Sequence, residues 1–226
     1  MNIEKQTPVA EIATQYPLAT RVLARHQIGY CCEGGKSLAE ACQKRDLDVD
    51  TIIAEIHTEL EKTIDSEKRW DQTPLNELID HILTTYHESL REELPRLETM
   101  ARRVEQVHGE KMPLVLPQLA QVVSDLRLEL EQHMMKEEQI LFPLIRQGES
   151  ITIECPIKVM QQEHDSASAA LQHIRELTNN YTVPDGACNT WQALWHGLAA
   201  LEQDLQHHIH LENNILFPRA LKVAAV

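Results

Sequence analysis

Two eleven-residue segments, HMMKEEQILFP at 133–143 and HIHLENNILFP at 208–218, write one pattern twice, 75 residues apart. Each copy has a His, a Glu four positions on, and Ile-Leu-Phe-Pro beginning three positions after the Glu. On a helix, residues i and i+4 share a face about one turn apart, so each copy presents an imidazole and a carboxylate to the same region of space. The flanking apolar residues, Leu130, Met134, Ile140 and Leu141 in one copy and Leu201, Leu205, Leu211 and Ile215 in the other, turn that face toward a core. The fold must therefore bring two charged helical faces inside. Only seven Gly and nine aromatic residues also favour helices over a turn-rich, aromatic-rich β protein.

The expected fold is an all-α, antiparallel four-helix bundle with a small N-terminal helical domain. Residues 1–61 read as short helices: Val9 to Tyr16, Leu18 to His26, a piece capped by Ser37, and Asp48 to Leu60, with the loop IGYCCEGGKS between the second and third. The polar stretch at 62–73 reads as a linker that ends at Pro74. Residues 74–226 change to long helices, beginning with apolar positions 75, 78, 79, 82, 83, 86 and 90. Pro95 either kinks this first helix or is absorbed at a break in it. A second helix spans about 116–146, a third runs from Cys155-Pro156 to about Leu177, and a fourth spans about 188–221. Short connections between them give up-down-up-down topology.

The duplication extends to the partner helices. His87 precedes His133 by 46 residues, and His164 precedes His208 by 44, so each half is a hairpin with one His going out and a His-x-x-x-Glu pair coming back. Burying two carboxylates without compensation costs several kcal/mol each, and no Lys or Arg stands at a matching core position. A metal centre is the economical solution: His87, His133, His164 and His208 with Glu137 and Glu212 supply six ligands, enough for two cations that share bridging carboxylates. Open coordination positions point to small-molecule chemistry rather than a closed structural site. His108 lies 21 residues beyond His87, about 30 Å along a straight helix, and is excluded as a ligand unless Pro95 breaks that helix. Glu129, Glu163 and Asp204 are candidates to support the ligands or to line an ion path. His26, His57, His81, His173, His196, His207 and His210 read as solvated or capping residues, and Met134-Met135 as packing. Chemistry of this donor set admits manganese and zinc beside iron.

A net charge of -14 disfavours nucleic acid and anionic membrane surfaces as partners. The N-terminus lacks a basic segment followed by an apolar one, and no stretch approaches 18 apolar residues, so the expectation is a cytoplasmic protein with no membrane association. Cys31, Cys32, Cys42, Cys155 and Cys188 form no disulfide-framework spacing, which suits a reducing compartment. The Cys31-Cys32 pair beside Gly34-Gly35 reads equally as a reactive thiol pair or as loop residues.

HMMKEEQILFP, HIHLENNILFPRA, YHESLREELP, QQEHD and IGYCCEGGKSLAEAC together resemble the RIC family, hemerythrin-like di-iron proteins for repair of iron centres. The resemblance spans nearly the whole chain. It implies two iron ions per chain in an oxo-bridged non-haem centre held by the six residues named above, with Glu137 and Glu212 as bridges. It implies restoration of iron-sulfur clusters damaged by nitric oxide or oxidants, through iron supplied from a labile centre, with damaged iron-sulfur proteins or scaffold proteins as partners and nitric oxide or dioxygen as small ligands. Cys31 and Cys32 match the family's N-terminal cysteine pair, which gives them a candidate thiol role at the di-iron site or in nitrosyl chemistry. A homodimer is compatible with this picture. Two rival functions share the donor set: nitric oxide reduction to nitrous oxide, and carriage or sensing of dioxygen. A metal-free structural bundle is the third alternative.

Overall fold

The computed structural model describes residues 3–31, 34–61, 68–148 and 152–223. Among them the chain is helical throughout its regular structure, with one isolated bridge between Pro8 and Ser37 and no strand. It packs as two units, Asp80–Leu205 and Met1–Ile79 with Gln206–Val226.

The first unit holds the helical bundle. It runs through a π-helical turn at Ile82–His87 into α6 (Glu88–His108), turns back into α7 (Leu116–Lys136), and continues through a second π turn (Glu137–Leu141) into α8 (Phe142–Gln147). Then follow α9 (Glu154–Leu177) and the greater part of α10 (Asn189–His210). Each of the four long helices gives one stripe to a common core: Leu90, Leu94 and Leu97 from α6, Val123, Leu126 and Leu130 from α7, Ala167, Leu171 and Ile174 from α9, and Leu194, Trp195 and Leu198 from α10. Steps mostly of three and four residues keep one face inward, and each fully buried Leu or Ile contributes roughly 1.5–3 kcal/mol. The four-helix, antiparallel architecture expected from the sequence is the one observed.

Pro95 is absorbed inside α6 without ending it. Two polar ties fix the bundle's helices to each other. Glu98 of α6 accepts from Arg102, from Ser124 Oγ at 2.9 Å and pairs with Arg127 at 2.7 Å, and these contacts hold its carboxyl below the usual carboxylate range. Buried Glu202 of α10 accepts a fork from Arg175 of α9 and a 2.6 Å hydrogen bond from Tyr181, which anchors the turn where Asn179, Asn180 and Tyr181 all take positive φ. Burial, followed by Glu202, pushes the Tyr181 hydroxyl far up.

In the second unit, α1 (Val9–Gln15), α2 (Ala19–Arg25), α3 (Leu38–Gln43) and α4 (Val49–Glu61) surround a core of Val9, Ile12, Val22, Leu23, Ile28, Tyr30, Leu38, Ile52 and Ile56. Ser37 starts α3 with a reciprocal cap: its hydroxyl accepts from the Glu40 amide, and Glu40 accepts from the Ser37 amide. Gly34 follows the cysteine pair because a Cβ there would stand 2.6 Å from the Tyr30 carbonyl oxygen and from Ala10 Cβ. His26 pairs with Glu55 of α4 at 2.8 Å. The same unit contains α5 (Leu75–His81) up to Ile79, the end of α10, a third π turn at Leu211–Leu216, and α11 (Phe217–Val223). Arg219 of α11 donates to the carbonyls of Trp70 and Thr73, at 2.7 and 2.6 Å.

Candidate metal centre

The ILFP ending of each repeat has a local structural effect. Pro143 and Pro218 stand in the first turns of α8 and α11, and each follows directly on a π turn, Glu137–Leu141 or Leu211–Leu216. A proline lacks the N–H that would bond the carbonyl four residues back, which favours a slipped hydrogen-bond ladder ahead of these two prolines, although Ile82–His87 forms a π turn with no proline after it. A π turn is such a slip, and it re-aims the side chains around it. Glu137 lies in the first of these turns and Glu212 in the second. Phe142 of the motif is buried and stacks on the His87 imidazole with centroids 5.8 Å apart.

In the bundle unit, His87, His133, Glu137 and His164 are all buried, with Glu137 and His87 at 0% exposure. One ligand atom each from His133, Glu137 and His164 lies within 4.8 Å of the others. Glu137 Oε2 stands 3.3 Å from His133 Nε2 and 3.4 Å from His87 Nε2. His164 Nε2 is 3.2 Å from His133 Nε2.

The opposite ring nitrogens fix the tautomers. His87 Nδ1 donates to Glu138 Oε1 at 2.7 Å, and that same oxygen accepts from Arg91 at 2.5 Å. His133 Nδ1 donates to Glu163 Oε2 at 3.0 Å, and the other Glu163 oxygen takes a short contact from Lys136. The Lys136 and His133 contacts outweigh burial and draw the Glu163 carboxyl below its ordinary range. With the proton on Nδ1, the Nε2 lone pairs of His87 and His133 face the Glu137 carboxylate. Lone pairs aimed at an anion repel unless a cation stands among them, so the donor set fits a metal ion. Carboxylate–imidazole pairs of this kind orient metal-ligating histidines.

The other copy of the motif lies in the second unit. His208 and Glu212 are buried, with His208 Nε2 3.1 Å from Glu212 Oε1. Around them, His207 Nε2 contacts Thr20 Oγ1 at 2.8 Å, and Asn214 donates to the carbonyls of Tyr30 and Cys31 at 3.2 and 3.0 Å. Asn214, two residues after Glu212, thus holds the backbone of the cysteine loop, while His207 ties to α2. Cys31 is half-buried, whereas Cys32 lies outside the described residues.

A family comparison decides the assignment. The hemerythrin HHE cation binding domain matches residues 78–220, and a domain of unknown function, DUF542, matches residues 5–60. The iron-sulfur cluster repair proteins YtfE of Escherichia coli O81 (strain ED1a), Escherichia coli O1:K1 / APEC and Escherichia fergusonii are each 46% identical to this chain over 217 residues, covering 96% of it and 97% of the relative. The chain belongs to the RIC family.

For the RIC chain several expectations change. Ile140 does not turn toward the core, because the π turn leaves it 51% exposed. Met135 is likewise exposed, while Met134 packs inside. His210 is not solvated: it is buried, contacts the Tyr30 carbonyl at 3.3 Å, and burial lowers its pKa to about 4. His81 contacts Thr85 at 2.9 Å. Of the three candidate supporting acids, Glu163 accepts from the His133 imidazole, Glu129 is exposed, and Asp204 lines a cavity of about 330 Å³ with Thr85, Tyr86, Ser89 and Glu93. Burial, then Asp204, pushes the Tyr86 hydroxyl up to about 12. Glu138, Arg91 and Lys136 escaped the sequence reading. The Glu137-Glu138 doublet and the Glu163-His164 adjacency were the available signals, since a His ligand needs a second acceptor for Nδ1.

Proposed function

We propose that this protein repairs damaged iron-sulfur clusters by supplying iron from a two-iron centre. The centre is held by His87, His133, His164 and His208, with Glu137 and Glu212 as bridging carboxylates. The observation that carries the reading is the convergence of buried His133, Glu137 and His164, with the His87 and His133 imidazoles locked by Glu138 and Glu163. The duplicated motif extends it to His208 and Glu212, and the repair function of the YtfE relatives supports the activity.

Bound iron supplies the metal that a degraded cluster lacks. The chain's own residues present neutral imidazoles and carboxylates, a donor set suited to ferrous ion without the closed grip of a four-thiolate site. Arg91 and Lys136 moderate the charge that Glu138 and Glu163 place behind the ligands. The partners in this reading are iron-sulfur proteins that have lost or nitrosylated their clusters, and the compartment is the cytoplasm. No described helix is long and apolar enough to cross a membrane.

The test is anaerobic incubation of iron-57-loaded protein with a nitric-oxide-damaged iron-sulfur protein. Iron-57 appearing in the restored cluster, with loss from this chain, is the expected result. Iron that stays in place while nitrous oxide accumulates over many turnovers would replace repair by nitric oxide reduction.

A further inference from the structure

His108, too far along α6 to serve the metal, has a different partner. Its Nε2 lies 3.2 Å from the sulfur of Cys188, 80 residues away and exposed at the start of α10. We propose that Cys188 and His108 form a reactive thiol–imidazole pair, a site of oxidative modification by peroxides at the end of the bundle remote from His87.

Three features of the fold favour charge separation in this pair. The Cys188 carbonyl accepts the first helical hydrogen bond of α10, from Gln192 N at 3.0 Å, so its side chain sits at the cap position beside amides that attract negative charge. His108 is the last residue of α6, where the helix carbonyls favour a cation. The Trp191 ring flanks the imidazole, with centroids 5.0 Å apart and planes inclined by 31°, within the range of a cation–π contact. Antiparallel packing brings a helix end that stabilises a cation against a helix start that stabilises an anion.

The chemistry follows from that polarity. The imidazole takes the thiol proton and the sulfur attacks one oxygen of the peroxide; the S–O bond forms as the O–O bond breaks. The departing oxygen takes the proton from the imidazolium and leaves as water, or as an alcohol from an organic peroxide. Cys188 is oxidised by two electrons to the sulfenic acid, and the peroxide is reduced by two. About 21 residues of α6 separate His108 from His87, roughly 30 Å of helix, so the thiol acts independently of the metal ligands.

Cys155 is the internal control: it is exposed like Cys188 and lies in the first turn of α9. In the full-length, metal-loaded protein, peptide mass spectrometry would give the rate of iodoacetamide alkylation at each cysteine. A second series would give the rate of dimedone trapping after hydrogen peroxide. Cys188 should react about tenfold faster than Cys155 in both, and His108→Gln, or His108→Asn should the first variant fold poorly, should bring Cys188 down to the Cys155 rate. Equal rates in the parent protein would overturn the proposal. So would a fast Cys188 that survives loss of His108, or peroxide labelling spread over both cysteines as radical chemistry at iron would produce.

Discussion

Glu138 shows how a residue outside the proposed ligand set can govern it. It accepts from His87 Nδ1 and from Arg91, which sets the tautomer of a proposed ligand imidazole whose ring stacks on Phe142. Removing such a support costs metal affinity by about 10–100-fold in other sites. We expect Glu138→Ala to fall in that range, read as iron lost to a competing chelator, with Glu129→Ala at the exposed position leaving retention unchanged. The ligand candidates were legible in the sequence because they recur at fixed spacing in two copies. Glu138 was not, because its partner lies 51 residues away on another helix and no local period connects them.

Helix positions were legible from apolar spacing, and the bundle followed from four such stripes joined by short turns. The π turns were not: those at Glu137–Leu141 and Leu211–Leu216 run into Pro143 and Pro218, which lack an N–H for the ladder, but Ile82–His87 forms without a proline and Pro95 sits in regular helix. The misplacement of Ile140 as a core residue follows from treating that turn as a regular helix. Pro143→Ala lets the regular ladder re-form, so we expect lower iron content with helicity preserved, measured by metal analysis beside circular dichroism. At α3 the reciprocal cap makes a different prediction. Ser37→Ala should destabilise the N-terminal helices by about 1 kcal/mol in denaturant titration. The Ser37 backbone and hydroxyl contacts hold the Glu40 carboxyl below its usual value. Its contribution is therefore full above about pH 4.5 and fades as the pH falls through the lowered value. The Ser37→Ala deficit should accordingly shrink in acid.

At the scale of the molecule, the chain divides otherwise than by sequence order, with Gln206–Val226 packing in the unit that contains the N-terminal helices. Contacts in that unit join residues as much as 180 positions apart and more, as in the Asn214 hydrogen bonds to the Tyr30 and Cys31 carbonyls. Composition and periodicity carry no trace of such a pairing. Asn214→Ala leaves those carbonyls without this donor and should cost about 1–3 kcal/mol, seen as a lower midpoint of thermal unfolding. The central claim is the metal centre built from two copies of one motif. Its most direct test is Mössbauer spectroscopy with iron quantification on anaerobically prepared iron-57 protein, compared with Glu137→Leu. The account predicts two coupled irons per chain and a sharp loss of both signal and bound iron in the variant. Iron content and spectrum unchanged by the loss of Glu137 would contradict it.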